Sequence, residues 1–274
     1  MSSEALPYTL LLVLVEFTIG GLWVMVMSHA RGNAAPSFLK FGVALTAVMA
    51  AVTFWVAVQV NIGSEVDGYP IDKEWITEAR WALAAVFGCS VLYTVATLRE
   101  QRPVALALGA GGSVSGLFAL GFVAALLAIP TWGIALTFGS LAIGALAIGA
   151  VSMGMTLGHW YLVTPRLPEQ PLREMTGFLL IVMTLQAALL VASVALPRDA
   201  IQNSVDTPIL ENPFFWMRAL GGIAFPGLLV WMAYDASGAR AMQSATGLLY
   251  IAMALVICGE VLAKGLLLTS AVPN

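Results

Sequence analysis

Few side chains in this sequence can do acid–base or redox-linked chemistry, and the first of them is a histidine at the end of a glycine-rich run. The run reads Gly149-Ala-Val-Ser-Met-Gly-Met-Thr-Leu-Gly-His-Trp-Tyr-Leu-Val-Thr-Pro165. Gly154 and Gly158, four apart, give a helix face on which another backbone can approach closely inside a membrane, and Trp160 and Tyr161 prefer the level where hydrocarbon meets headgroups. A packed helix therefore carries His159, one of only two histidines, to a membrane surface. There an imidazole can donate a hydrogen bond and carry a proton. His159 is equally suited to a plain interfacial position ending a long helix, and the residue types leave both readings open.

The second set consists of polar groups inside apolar runs, where charge is costly and is retained mainly on faces turned to a bundle interior, a partner or water. Glu16 falls near the middle of the first run and Gln186 midway along the sixth. Glu260 and Lys264, at i and i+4 on the last, share one helix face and are expected to neutralise each other. Lys264 can also snorkel toward the nearer surface. Glu16 has no partner on its own helix. Together Glu16, Glu260 and Lys264 read either as a proton path or as packing.

His29 completes the inventory. Paired histidines on different helices commonly hold haem b in membranes. His29 and His159 fall at the same side and at similar depth, with Arg31 and Arg166 available to propionates, so one bis-His haem is conceivable and a second has no ligands. Against it, both residues sit at helix ends, and nothing in the sequence makes their helices neighbours.

The elements that must position these groups are membrane helices. The chain of 274 residues is 60% hydrophobic and 10% charged, with repeated apolar runs close to the ~20 residues that span a bilayer. The expected fold is all-α, a single-domain bundle of eight transmembrane helices over about 8–28, 41–62, 81–98, 104–129, 133–163, 175–196, 214–234 and 246–268. The first run lacks the basic stretch of a secretory signal and reads as a retained helix. Pro36 breaks the chain before the second helix, an acidic loop from Gly63 to Glu74 precedes the third, and Arg99-Glu-Gln-Arg-Pro103 and Pro130-Thr-Trp132 form tight turns. Gly112 and Gly116 mark a second packing face, and Pro226 is the one mid-span proline. Cys89 and Cys258 fall in apolar segments and suggest neither a disulfide framework nor a thiolate metal site. Nucleic-acid binding has no support, and no metal motif is evident.

Charge placement orients the bundle. Connections after odd-numbered helices hold Arg31, Lys40, Arg99, Arg102, Arg166, Arg173 and Arg240, and the other surface holds Lys73, Arg80, Arg198 and Arg218. Excess Lys and Arg mark the cytoplasmic side, so both termini are expected outside. Glu65, Asp67, Asp72, Glu74, Glu78, Asp199, Asp206 and Glu211 then lie outside as well.

Two stretches carry a family resemblance. The opening, Glu4-Ala-Leu-Pro-Tyr-Thr-Leu-Leu-Leu-Val-Leu-Val-Glu-Phe-Thr-Ile-Gly-Gly21, resembles the first helix of the membrane anchor subunits of dimethyl sulfoxide reductase-type molybdoenzymes: an acidic residue and Pro, then an apolar helix with a polar residue and Gly. The ending, Gly247 to Lys264, is similar to their last helix, where Gly-Glu is followed four residues later by a basic residue. The likeness covers only these helices, Lys264 stands where Arg is more usual, and the His159-Trp160-Tyr161 stretch matches no motif of that family.

The resemblance implies a haem-free subunit of a respiratory complex in the cytoplasmic (inner) membrane, which binds quinone or quinol and docks an iron-sulfur partner. Quinone chemistry needs an apolar slot, donors at the carbonyls and a proton route. The candidates are His159 with Trp160, His29, Gln186 and Glu16, with His159 first if the site lies toward the cytoplasmic end; no residue is expected to be catalytic in its own right. Two other classes compete: a proton- or ion-coupled transporter using Glu16 and Glu260–Lys264, although no internal repeat is evident, and a cofactor-free structural subunit of a larger complex.

The orientation is open to direct measurement. A reporter active only in the cytoplasm should be silent when fused at Asn274 and active when inserted near Arg166; the reverse pattern refutes the topology.

Overall fold

The computed structural model describes residues 5–128, 133–164, 167–195 and 209–270. Eight helices in it are long and apolar enough to cross a membrane, and the protein is an all-α polytopic bundle. They are α1 (Ala5–Arg31), α2 (Pro36–Gln59), α3 (Ile76–Leu98, entered through a short 3₁₀ turn at Lys73–Trp75), α4 (Arg102–Leu127), α5 (Gly133–Val163), α6 (Gln170–Ala195), α7 (Pro213–Gly238) and α8 (Met242–Ser270). Most run past the apolar stretches that announced them, because the ends continue into polar residues that can meet headgroups and water. The second helix differs most: Pro36 starts it rather than preceding it, since a proline at the first helical position gives up only an N–H that would be unpaired anyway. Pro130, Thr131, Trp132, Pro165, Arg166, Leu196, Arg198, Asp199, Asp206 and Asn274, like Glu4 of the family-like opening, lie outside the described residues.

α1 and α5 form the axis. α1 is buried along most of its length, and from Gly144 to Gly158 nearly every residue of α5 is buried. The two backbones meet where a side chain would not fit: a Cβ on Gly20 would overlap the Ala145 carbonyl, and one on Gly149 would overlap the Gly20 backbone. Gly154 and Gly158, the pair prominent in the sequence, face other helices; a Cβ there would meet Met175 of α6 at 3.3 Å and Thr246 of α8 at 2.9 Å. Gly112 and Gly116 of α4 receive Leu22 and Ile19 of α1. α2, α3 and α4 pack on one side of the axis, and α6, α7 and α8 on the other.

The acidic loop after α2 contains a small hairpin, β1 (Glu65–Val66) antiparallel to β2 (Tyr69–Pro70), turned at Asp67 and Gly68 with φ of 50° and 80°. Asp-Gly suits a tight hairpin turn with two positive φ values, a signal the loop reading passed over. Beyond it, Asp72 N–H donates to Leu126 O at 3.0 Å and Tyr69 Oη donates to Leu127 O, so the hairpin caps the last carbonyls of α4. Burial raises the Tyr69 hydroxyl pKa above its ordinary value, which keeps it a donor. Tyr8 of α1 bonds the same loop, donating to Asn61 O at 3.1 Å. This hairpin face holds the start of α1 and the end of α8.

On the opposite face polar contacts tie the turns together. Lys40 Nζ lies 2.8 Å from Glu100 Oε1 and holds that carboxyl below the usual carboxylate range; Arg31 and Asn33 reach Glu174, and Arg240 bonds Glu169.

Arg218, counted above with the surface cations, is instead fully buried in α7. Its guanidinium pairs with Glu260 of α8 inside the bundle, so snorkelling to the near surface does not occur.

The α1–α5 crossing makes a specific demand. Gly149→Ala should lower unfolding stability in detergent by roughly 1–3 kcal/mol through overpacking. Gly247→Ala in α8, where nothing lies within 4 Å of the added carbon, should be neutral or mildly stabilising. Equal tolerance of both would show that the crossing is not tight.

Candidate functional site

Midway through the hydrocarbon the bundle closes around five polar side chains from four helices. Glu16 lies eleven residues on from Ala5 and Glu260 ten before Ser270, so each is about 15–17 Å inside its helix end. That is about half of a ~30 Å hydrocarbon core. Gln186 of α6, Arg218 of α7 and Lys264 of α8 complete the group, and none of the five is more than 2% exposed.

Glu260 is the hub. Its Oε1 accepts from Arg218 Nη2 at 2.9 Å and from Gln186 Nε2, and its Oε2 accepts from Lys264 Nζ at 3.3 Å. The same Lys264 ammonium lies 2.6 Å from Glu16 Oε1 on α1. That contact is an ion pair by distance but lacks hydrogen-bond alignment, and Glu16 Oε2 has no hydrogen-bond partner among the described residues. Two cations and two carboxylates leave the cluster formally neutral, the condition under which buried charges are tolerated.

Local sequence explains how such a cluster fits. Gly144 of α5 lies against both acids: a Cβ there would stand 2.5 Å from Glu16 Oε1 and 2.9 Å from Glu260 Oε2. Gly222 of α7 and Gly259 of α8 meet backbone to backbone, and a Cβ on Gly259 would be 2.8 Å from Arg218 Nη1. The Gly259-Glu260 step thus brings the carboxylate and the opposing guanidinium to one level. Arg218 sits in a π-helical stretch, Met217–Ala224, immediately before Pro226. The missing N–H and the bulk of the Pro226 ring disfavour a regular α-turn here, and the wider turn absorbs both. π-turns recur at functional sites.

The cluster leaves buried polar atoms unpaired. Arg218 Nε and Nη1, Gln186 Oε1 and both Glu16 oxygens make no hydrogen bond within the described residues. Each such group costs about 1–3 kcal/mol, more when charged, so a fold that keeps several on one shell leaves donors and acceptors for water, protons or a ligand.

The structure divides the residues expected from sequence. It joins Glu16, Gln186, Glu260 and Lys264, adds Arg218, and turns the expected Glu260–Lys264 pair into a bridge on which Glu16 also depends. His159 and Trp160 lie elsewhere, fifteen residues beyond Gly144 on α5 and so about 22 Å further along. His159 is exposed, its Nδ1 is 3.1 Å from Tyr250 Oη of α8, and the two rings meet edge to face. Trp160 Nε1 donates to Ser37 Oγ at 2.8 Å, and its ring packs against Phe38 and Phe41 of α2. His29 is buried, stacked on Tyr93 of α3 with Nδ1 3.1 Å from the phenol oxygen. The two histidines therefore have different tyrosine partners on different helices. Among the described residues no group of three or more His, Cys, Asp or Glu is placed to hold a metal ion. Tyr250 and Arg218 are the residues that sequence reasoning missed. Tyr250 had no signal beyond its type, whereas Arg218 followed by Gly221-Gly222, read beside Gly259-Glu260, was available.

Compared with known protein families, curated proteins and solved structures, the chain matches none of them. The class defined by fold and cluster is a multi-pass membrane protein with a charge-paired polar core.

The bridging role of Lys264 can be tested by pairwise replacement. Lys264→Met strands Glu16 fully, while Glu260 keeps Arg218, so the single change should cost roughly 3–5 kcal/mol. Adding Glu16→Gln should restore most of the stability and adding Glu260→Gln should not, because the latter orphans Arg218. Rescue by Glu260→Gln alone would mean that Lys264 serves only its own helix.

Proposed function

We propose that the protein is an integral-membrane subunit of a respiratory electron-transfer complex in the cytoplasmic membrane, which exchanges electrons and protons with quinone or quinol and anchors a redox partner, an iron-sulfur protein by the family resemblance. The observation that carries this reading is the buried cluster of Glu16, Gln186, Arg218, Glu260 and Lys264, whose unpaired oxygens and nitrogens suit proton handling within the hydrocarbon. Quinone reduction consumes protons and quinol oxidation releases them, so such a subunit needs carboxylates connected to a surface. The ring would be met at the end of α5, where exposed His159 offers a donor, Tyr250 orients its imidazole through Nδ1, and Trp160 supplies an aromatic wall. In the orientation drawn from the cation bias this is the cytoplasmic side, and the hairpin face is outside. Excluding Arg218 from the surface count leaves seven cations against Lys73, Arg80 and Arg198, which supports that orientation. His29, hydrogen-bonded to Tyr93, serves as a packing residue beside Arg102.

A second reading is favoured by one observation. The π-helical stretch of α7 carries Arg218 into the cluster just before Pro226, and interrupted helices beside a buried ion pair are also how proton-coupled transporters form midplane sites. Purified protein with its native companions separates the two. Quinol-dependent reduction of a co-purifying iron-sulfur subunit supports the first, and proton-driven uptake by the lone chain in vesicles supports the second.

His159→Phe keeps an aromatic ring and removes the donor. Quinone-linked electron transfer should fall by about tenfold or more, as expected when a hydrogen bond of roughly 1–3 kcal/mol is lost in a desolvated site. Assembly should be unchanged. Undiminished turnover would remove His159 from the mechanism.

A further inference from the structure

The two carboxylates of the central cluster are not equivalent. Glu260 is gripped on both oxygens, by Arg218 and Gln186 on Oε1 and by Lys264 on Oε2. Glu16 has one ion-pair partner at contact distance, the Lys264 ammonium at 2.6 Å from Oε1, and its other oxygen is buried with no hydrogen-bond partner among the described residues. The one donor group at contact distance from Glu16 among the described residues, Lys264, is thus shared with Glu260. A carboxylic acid needs fewer donors than a carboxylate and brings one of its own, so Glu16 is the member best placed to change state without dismantling the site.

We propose that Glu16 is the proton-binding group of this membrane core, and that Lys264 is its mobile counter-ion, shared between Glu16 and Glu260 according to whether Glu16 carries the proton. The step is an acid–base one. A proton arriving from water adds to a Glu16 oxygen, forming an O–H bond and a neutral acid, and no electron is transferred. The Lys264–Glu16 attraction is then lost, and Nζ moves onto Glu260 Oε2, from which it is 3.3 Å away in the present arrangement. The formal charge of the cluster rises from zero to +1, and loss of the proton returns Lys264 to Glu16.

The surroundings of Glu16 match this assignment. Its charged neighbours are Lys264 and Glu260 on α8 and Arg218 on α7, with Gln186 of α6 reaching it only through Glu260. α5 presents Gly144, whose missing side chain leaves both carboxylates adjacent. Toward α2, the polar contacts of α1 near this level are Thr18 Oγ1 with Thr53 Oγ1 at 2.7 Å, and Thr53 donating to Leu14 O; α4 meets α1 there with Gly116 against Ile19. Among the described residues, neither α2 nor α4 places a charged group beside Glu16. Among the described residues Lys264 is the one cation at contact distance from Glu16, and its flexible four-carbon stem is suited to travel between two oxygens that face it.

The inference rests on the proton-handling part of the proposed function but not on quinone or on any partner. It is tested on the full chain alone in lipid nanodiscs by infrared difference spectroscopy between acid and alkaline buffer. Surface carboxyls protonate as well, so the readout is the component of the carboxylic C=O region that distinguishes the parent protein from Glu16→Gln. One band that shifts in deuterated water should be lost in Glu16→Gln, persist in Glu260→Asp, and change frequency in Lys264→Met. If Glu16→Gln does not assemble, Glu16→Asp must move the band. A carboxylic region that loses no component in Glu16→Gln, or none of whose components moves in Glu16→Asp, overturns the proposal. Because no quinone is present, a band that behaves as expected beside failed quinol turnover would retain Glu16 and discard the redox reading.

Discussion

The interaction on which the rest of this molecule depends is the shared ammonium of Lys264. A lone charge at mid-membrane is driven out to water or neutralised, whereas here four charged side chains from three helices stay within hydrocarbon because each sign has a counterpart at contact distance. Glu16 comes from the first helix of the chain and Lys264 from the last. The bridge between them therefore fixes the register of two helices separated by nearly the whole sequence, and α6 and α7 are drawn in through Gln186 and Arg218 bonded to Glu260.

Such contacts require backbones closer than ordinary side chains allow, and the glycines supply the approach. The meeting of Gly20 with Ala145 and of Gly149 with Gly20 brings α5 against α1, which leaves Gly144 beside the carboxylates. The Gly222–Gly259 contact does the same for α7 and α8. In a bilayer no hydrophobic force separates helix from lipid, so small-residue packing and buried polar pairing are the terms available to hold the bundle together. Both act at one level of this fold. A glycine replacement at that level would loosen the ion pairs as well as the van der Waals contacts, and the two effects would not add independently.

Much of the architecture was legible because hydropathy and span length are local properties. Eight apolar runs announce eight helices, and their ends shift mainly where polar interfacial residues continue the helix. The site was legible in part. Glu16, Gln186, Glu260 and Lys264 stand out because polar groups are rare inside such runs, but their convergence is a tertiary fact with no periodicity to reveal it. Arg218 was misplaced for a physical reason: five residues in from the start of α7, an arginine can usually reach the surface, and only the Gly222–Gly259 contact and the waiting Glu260 turn it inward. The glycine pair prominent in sequence, Gly154 and Gly158, proved to face α6 and α8, while Ala145 and Gly149, at the same spacing of four, make the closer approach and carry no further sequence signal.

The separation between the two polar regions constrains any mechanism. His159 and Tyr250 lie about 22 Å along α5 from the level of Gly144, too far for a proton to pass between them in one step. Direct hydrogen bonding spans about 3 Å, so a quinone held at His159 could communicate with Glu16 only through intervening polar groups or water. α5 offers Ser152 and Thr156 on that stretch, both buried; Thr156 donates to Ser152 O at 2.8 Å, and Ser152 Oγ has no hydrogen-bond partner among the described residues. These hydroxyls sit between the acid cluster and the histidine on the helix that carries both levels. A hydroxyl can accept one proton while donating another, so Ser152 and Thr156 are the side chains through which a relay along α5 would have to run. Without such a relay, the proton proposed for Glu16 would have to come from the hairpin face, about 16 Å away along α1, and the histidine end would work independently.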